Sequence, residues 1–289
     1  MNKREYIIMT DSGCDLSEEL INKLNVDVVP MSVMIDNKDY KHYPDYRELS
    51  KEDFYAKLKE GHIGKTSCVN VMDVKTAMEK HLKENKDVLY LSFSSGMSTS
   101  YQAARLASQE LLNTYPEATI NVVDTLSGCV GLGMLVYLVA NKQARGTNIE
   151  DLTRYAKIEC LNICHHFVVE DIKYIQKSGR ISAFAGAFCS AIGVRPAFKL
   201  SDEGKVVLEA KVRGKKGVIN HLLNKAKESV FSELFFIGHV DALENAKLLK
   251  QSIQTIYPSA NIQIFEIGPV VGNNTGRGTL SVMFLGAER

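Results

Sequence analysis

Short apolar runs alternate with amphipathic stretches over roughly the first 160 residues of the chain. Runs with the length of buried strands cover residues 6–9, 26–33, 88–91 and 120–124, and stretches with helical spacing cover residues 17–24, 54–59, 74–84, 102–112, 131–144 and 149–163. Strands that alternate with helices build a parallel sheet with helices on both faces. The pattern therefore predicts an α/β fold that starts with a doubly wound N-terminal domain over residues 1–165.

The pattern changes after about residue 165. Strand-like runs now cover residues 167–169, 205–212, 234–239, 262–267 and 280–285, with helical stretches only at 218–231 and 242–256. The run 205–212 alternates between apolar and polar residues, as expected of a strand with one face in water. Residues 166–289 are therefore predicted to form a second, α+β domain.

Polar loops follow several predicted strands of the first domain. The strand at 88–91 ends in six hydroxyl side chains between Ser92 and Ser100, grouped around Gly96, and a helix starts directly afterwards. Because a helix N-terminus offers free backbone N–H groups and positive potential, this loop is typical of a receptor for an anion. Ligands of doubly wound sheets bind beyond the carboxyl ends of the strands. We expect the following polar residues to cluster there: Asp11, Ser12, Ser94, Ser95, Ser98 and Asp124.

Charge and hydropathy exclude several classes of function. The net charge is +1, from 35 basic and 34 acidic residues, which gives no electrostatic basis for binding nucleic acid. No run of 18 apolar residues exists, so no membrane span is predicted. The apolar run near the start is too short for a signal peptide, and a cytoplasmic location is expected.

The six cysteines are scattered among apolar neighbours and are expected to be reduced core residues. The cluster Cys160-x3-Cys164-His165-His166 imitates a metal site, but its spacing matches no zinc module well. We expect neither a metal nor a cofactor.

Three further segments have both an ordinary and a functional interpretation. The residues Gly64-Lys65-Thr66 suggest a phosphate loop, but the spacing from Gly61 to Gly64 is too short for that motif. The segment is therefore interpreted as a turn that carries two adjacent hydroxyl side chains, Thr66 and Ser67. The glycine-rich segment 272–278 is either a plain turn or a backbone that a ligand approaches closely. The small-residue segment 183–194 is either a tightly packed helix or the wall of a narrow apolar tunnel.

A serine hydrolase acting on acyl esters, with Ser98 or Ser95 as nucleophile, is the alternative function. No GxSxG elbow is present, because the loop after Gly96 lacks the second glycine. No histidine has a recognisable triad context, although His239 before Asp241 is a conceivable base. Binding is therefore favoured over catalysis.

Taken together, these segments resemble the DegV family of bacterial fatty-acid-binding proteins over nearly the whole chain. The resemblance rests on seven elements in order: Thr10-Asp11-Ser12, Lys65-Thr66-Ser67, Ser94-Ser95-Gly96-Met97-Ser98, Val123-Asp124-Thr125, Lys177-Ser178-Gly179-Arg180-Ile181-Ser182, Lys211-Val212-Arg213 and Gly268-Pro269-Val270-Val271-Gly272. It implies a non-enzymatic, two-domain protein that holds one long-chain fatty acid, such as palmitate, in a tunnel between the domains. It also implies that some members of the family present the acid to a separate fatty acid kinase.

The resemblance further implies a role for individual residues. The family's carboxylate-binding hydroxyls fall on Thr66 and Ser98, its arginine falls on Arg180, and the basic position linked to kinase docking falls on Arg213. Ser67 and Asn274 are expected as secondary carboxylate contacts.

Two positions depart from the family's usual pattern. Cys68-Val69 follows Thr66-Ser67 where the family usually has Gln-Pro, and Asn274 stands where it usually has histidine. An asparagine can donate a hydrogen bond but cannot carry a proton charge. If the usual histidine contacts the head group or a phosphoryl group, this chain is expected to bind the acid and yet be a poorer kinase partner, unless Arg277 compensates electrostatically.

Overall fold

The computed structural model describes residues 4–181, 193–287 and 289. Within these residues the strands are β1 (Tyr6–Asp11), β2 (Val26–Val29), β3 (Met31–Ile35), β4 (Lys38–His42), β5 (Lys65–Ser67), β6 (Asp87–Ser92), β7 (Ile120–Asp124), β8 (Ile163–Val168), β9 (Val194–Leu200), β10 (Val206–Arg213), β11 (Val230–His239), β12 (Asn261–Glu266) and β13 (Leu280–Gly286). The α-helices are α1 (Glu18–Leu24), α2 (Lys51–Lys59), α3 (Val71–Lys83), α4 (Ser100–Thr114), α5 (Cys129–Gln143), α6 (Ile149–Glu159), α7 (Ile172–Ser178), α8 (Gly214–Ser229), α9 (Leu243–Ile256) and α10 (Pro269–Thr275).

Sheet A has the strand order β2-β1-β6-β7, and all of its neighbouring strands are parallel. Its central strand β6 is buried along its whole length because both faces are covered. Tyr90 packs among residues of α3 and α4, whereas Leu89 and Leu91 pack among residues of α5 and α6. The predicted parallel, doubly wound sheet is confirmed.

Sheet B is a small antiparallel sheet of order β4-β3-β5 that the sequence pattern did not predict. The apolar run 26–33 was expected to be one strand, and this was wrong. Proline has no N–H to donate to a strand ladder, and the run divides at Pro30 into β2, which joins sheet A, and β3, which joins sheet B.

Sheet C is a mixed six-stranded sheet of order β10-β9-β8-β13-β11-β12. Helices α8 and α9 pack on its outer face, where they bury Leu222 and Leu249 with residues of β8, β11 and β13. This arrangement confirms the α+β C-terminal part. Strand β8 begins at Ile163 and belongs to sheet C, so the expected domain boundary between residues 165 and 166 falls inside this strand.

Helix α5 lies between sheet A and sheet C, and contacts β1 and β6 on one side and β8, β11 and β13 on the other. Every residue of its first two turns is buried. This position explains its apolar composition, since a helix with core on several sides needs no polar face.

The glycine-rich segment 272–278 was expected to be either a plain turn or a backbone that a ligand approaches closely; its residues 272–275 are the last turn of helix α10, and residues 277–278 form a turn. Pro269 occupies the first turn, where its missing N–H is not needed. The helix ends before Gly276, whose φ of +79° lies in the region that favours glycine. Gly276, one of the glycines noted in the sequence, therefore marks the end of the helix.

Candidate functional site

A cavity lies between the inner face of sheet C, helix α10, sheet B and the loops at the carboxyl ends of sheet A. It contains about 860 Å³ of empty space, a volume that includes solvent at its open mouth. Its lining is mostly apolar and includes Met31, Phe93, Met97, Phe167, Ile175, Leu200, Val206, Ile267, Val270, Val271 and Met283.

Thr66 is one of the polar residues that line this cavity. Thr66 is the middle residue of β5, where it pairs with Val33 of β3. The Asn274 side-chain amide donates a hydrogen bond of 3.1 Å to Thr66 Oγ1 and a second one of 2.9 Å to the Val270 carbonyl oxygen. Because Thr66 Oγ1 accepts from Asn274, its own O–H is available to donate to a ligand.

Ser98 lines the same cavity from the loop between β6 and α4. Its Oγ lies 2.9 Å from Ser100 Oγ and accepts the Ser100 backbone N–H at 3.2 Å. Its own backbone N–H donates to the Ser94 carbonyl oxygen at 3.0 Å. The hydroxyl is thereby fixed one residue before Thr99, the N-cap of α4, a helix end with neither a side-chain cap nor an acidic first turn.

Arg180 brings positive charge to the mouth of the cavity. It lines the cavity but is exposed, and its Nε donates to the Met97 carbonyl oxygen at 3.5 Å. A guanidinium in this position can attract a carboxylate without being buried with it.

The remaining predicted positions divide between the rim and the surface. Ser67 is exposed on β5 and lines both the cavity and a neighbouring surface groove. Arg213 is exposed just before α8 and does not line the cavity. Arg277 donates through its Nε to Asp241 at 2.7 Å and does not line the cavity.

The expected cluster at the strand ends is only partly a ligand site. Of its six residues, only Ser98 lines the cavity. Asp11 accepts the Phe93 and Gly13 backbone N–H groups at 2.8 Å and 3.2 Å, and Asp124 accepts those of Ser95 and Leu126 at 3.1 Å and 3.2 Å. These carboxylates accept hydrogen bonds from backbone N–H groups and hold the loop that carries Ser98.

Two further serines of that cluster, Ser12 and Ser94, have structural partners. Ser12 Oγ accepts the Met31 N–H at 3.0 Å. Ser94 Oγ donates to the Gly204 carbonyl oxygen at 2.8 Å, in the turn between β9 and β10. This turn packs closely on the loop, because a Cβ at Gly96 would lie 2.5 Å from the Glu203 carbonyl oxygen. The loop is therefore attached to sheet C.

The N-terminus of α10 is held by a buried carboxylate. Asp15 Oδ1 accepts the Gly268 N–H at 2.8 Å, and the side chain is 6% exposed. Burial raises the pKa of Asp15 to about 7, although the Gly268 N–H and the Cys129 thiol lower it, while the charge of Asp11 adds to the increase. The same effect of burial raises the pKa of Asp11 to about 7.

His165 is a cavity residue that sequence reasoning missed. It is 1% exposed, and its Nδ1 lies 2.9 Å from the Ile163 carbonyl oxygen. Burial keeps the pKa of His165 well below its usual range, so the imidazole is neutral, and its Nε2 packs against Gly131 of α5. The available signal was alternation along β8: His165 and Phe167 line the cavity, whereas Cys164 and His166 point to the other face.

The structure provides no geometry for the hydrolase alternative. Among the residues that it describes, no histidine forms a hydrogen bond with the side chain of Ser98 or Ser95. The conceivable base His239 accepts the Ala242 N–H at 3.3 Å and does not line the cavity. A nucleophilic serine would need such a base.

Three other expectations concern metals, membranes and the tunnel wall. Within the described ranges, no group of three or more His, Cys, Asp or Glu residues could hold a metal ion. Over the same ranges, none of the helices combines the length and the apolar character needed to cross a bilayer. Residues 182–192, which make up most of the expected tunnel wall 183–194, lie outside the described residues.

Comparisons with known proteins give a consistent result. The model of the family described as "Uncharacterised protein, DegV family" matches residues 6–287. A DegV domain-containing protein of Clostridium perfringens is 35% identical over 286 residues, which cover 98% of this chain and 98% of that protein.

Two solved structures have the same fold as this chain. One is the structure of a DegV family protein from Thermus thermophilus and concerns the fatty acid binding of that protein. Its TM-score to this chain is 0.85 at 23% identity, and the match covers 98% of this chain and 100% of that one. The other is the Streptococcus pneumoniae Fatty Acid Kinase (Fak) B3 protein loaded with linoleic acid, with a TM-score of 0.85 at 20% identity, covering 97% of this chain and 99% of that one.

Proposed function

The chain belongs to the DegV family, and from this we propose that it is a carrier that binds one long-chain fatty acid, such as palmitate, in the cavity between sheet C and the N-terminal sheets. In this proposal the acid is a ligand rather than a substrate, and the protein is not an enzyme. The cytoplasmic location expected from the sequence is part of the same proposal.

One observation carries the proposal: a mostly apolar cavity is lined by the hydroxyl residues Thr66 and Ser98, by Asn274, which bonds to Thr66, and by the exposed Arg180. A fatty carboxylate has a single charge and no other polar handle, and two or three hydrogen bonds of about 1.5–3 kcal/mol each suffice to fix it. In our assignment Thr66 and Ser98 donate directly, and Ser67, Arg180 and Asn274 support them.

The apolar lining would supply most of the affinity. Each buried methylene contributes about 0.8 kcal/mol, so a sixteen-carbon tail would contribute roughly 10 kcal/mol before the costs of ordering. Phe93, Phe167, Leu200 and Met283 are among the side chains that would cover the tail.

We also propose that the bound acid is presented to a fatty acid kinase. The support is the similarity to the Fak B3 protein and the exposed Arg213, placed where the family has its docking residue. Asn274 lacks the charge of the usual histidine, and Arg277 is paired with Asp241 and does not line the cavity. We therefore expect weaker cooperation with the kinase than in members that retain the histidine.

The test is the lipid that accompanies the protein. Protein purified from cells would be denatured and extracted, and the extract analysed by mass spectrometry. A stoichiometric C14–C18 acid is expected. The absence of such an acid, together with failure of the delipidated protein to bind added palmitate, would reject the proposal.

A further inference from the structure

Helix α10 carries two adjacent asparagines that both contact the chain around β5. Asn274 donates to the Thr66 hydroxyl, as described above. Asn273 is 1% exposed, and its side chain makes two hydrogen bonds with a single residue: Oδ1 accepts the Gly64 N–H at 2.7 Å, and Nδ2 donates to the Gly64 carbonyl oxygen at 3.0 Å. The amide of Asn273 thus pairs with the backbone as a neighbouring strand would.

Gly64 is held from the opposite side as well. A Cβ on this residue would lie 2.2 Å from the Met34 carbonyl oxygen and 2.8 Å from Ile35 Cγ1. The backbone of Gly64 is therefore enclosed between β3 and α10, two residues before Thr66. Any displacement of Gly64 would be passed directly to the three-residue strand β5.

We propose that Asn273 is a positioning residue for the fatty acid head group, which sets where Thr66 presents its hydroxyl relative to Asn274 and Ser98. This inference rests on the proposed function. Asn273 does not line the cavity and acts only through Gly64. Its role needs a donor and an acceptor at the end of a short side chain. Only asparagine supplies this pair, because aspartate lacks the donor and glutamine is longer by one methylene.

The test compares Asn273→Ala with Asn141→Ala on delipidated protein. Asn141 is a suitable control because its side chain also donates to a backbone carbonyl, that of Tyr137 at 2.7 Å, but lies outside the cavity lining. Affinity would be measured for palmitate and for hexadecanol, which has the same tail and no carboxylate. The pH titration of carboxyl-¹³C palmitate would be followed by NMR in each bound state.

Asn273→Ala is expected to weaken palmitate binding about tenfold, as for the loss of one well-placed hydrogen bond, while hexadecanol binding changes by less than about threefold. The pKa of the bound carboxyl group should rise toward that of the free acid. Unchanged palmitate affinity, or equal losses for both ligands, would overturn the positioning role.

Asn273→Gln keeps the donor and the acceptor and leaves the charge unchanged, but it is longer by one methylene, so it is expected to give the same discrimination even if the alanine variant does not fold. If the unmodified protein binds neither ligand, the proposed function itself fails and this inference with it. If the unmodified protein binds both and the Asn273 variants behave like Asn141→Ala, the inference alone fails.

Discussion

The side-chain amide of Asn274 donates a hydrogen bond to the hydroxyl of Thr66 at 3.1 Å, although 208 residues separate them in the chain. This contact links the last turn of α10 to the short strand β5. It fixes the direction in which the Thr66 hydroxyl can donate, since its oxygen is already used as an acceptor.

Replacing both Thr66 and Ser98 with alanine is expected to weaken fatty acid binding by about 3–6 kcal/mol, the sum of two hydrogen bonds of about 1.5–3 kcal/mol each to a charged group. Calorimetric titration of delipidated protein with palmitate measures the change. The double variant Thr255→Ala and Ser252→Ala is a matched control, because those hydroxyls bond only to carbonyls of their own helix. Equal affinity in the test and control proteins would reject these two residues as the carboxylate contacts.

Asn274→His is expected to introduce a pH dependence that the native amide cannot have. Histidine gains a proton below about pH 6.5 and would then attract the carboxylate. Palmitate affinity of the variant should rise as the pH falls through this range, relative to the unmodified protein measured at the same pH. Parallel pH profiles in the two proteins would show that position 274 does not face the head group.

Arg180→Ala is expected to cause a smaller loss than the double hydroxyl variant, about 0.2–1 kcal/mol, because an exposed charge is screened by solvent. The loss should shrink further at high salt, since exposed charges interact over about a Debye length. Binding titrations at low and high ionic strength measure both effects. A loss that is independent of salt would contradict an electrostatic role.

Arg213→Ala is expected to leave palmitate affinity unchanged, because the side chain is exposed and does not line the cavity. In a phosphorylation assay with a fatty acid kinase, the same variant should reduce the rate at which bound acid is converted. Lys227→Ala, which removes a positive charge at the other end of α8, serves as the control. Equal rates for the two variants would remove Arg213 from the docking surface.

The pH dependence of stability should report on Asp15. Its folded-state pKa of about 7 lies above the unfolded value of about 3.9, so the folded protein binds the extra proton between these values. The free energy of unfolding is therefore expected to fall as pH rises from about 4 to 7. The variant Asp15→Asn has no group that ionises at this position, so it should flatten part of this decline in denaturant titrations.

Asp11 also lowers the free energy of unfolding as pH rises, because its pKa is raised as well. The Asp15→Asn variant therefore removes only the part of the decline that is due to Asp15. Asp202→Asn is the control, because Asp202 is exposed. An identical slope in Asp15→Asn and in the unmodified protein would contradict the raised pKa of Asp15.

Much of the fold was predictable because it depends on local patterns. The alternation of buried strands with amphipathic helices predicted sheet A, and Met97 and Ser98 of the hydroxyl-rich loop after β6, which was expected to be an anion receptor, line the cavity. The division of one apolar run at Pro30 also had a visible signal, which was overlooked. A proline in the middle of a predicted strand should have indicated the break.

The partners of polar side chains were less predictable. The sequence shows that Asp11 and Asp124 follow strands, but it does not show whether a carboxylate meets a ligand or a backbone N–H group. Both carboxylates turned out to hold the loop. The contacts of Asn273 and Asn274 join segments more than 200 residues apart, and no local pattern encodes such pairs.

The attachment of the Ser98 loop to sheet C has a consequence for how the proposed fatty acid would leave the cavity. Ser94 is bonded to Gly204, and Gly96 lies against Glu203, so this loop and the hairpin turn of β9 and β10 form one unit across the gap between the sheets. If this gap widens to release the acid, the Ser98 hydroxyl must either move with one of the two sheets or lose the contacts that hold it. Opening of the cavity and release of the carboxylate would then occur together.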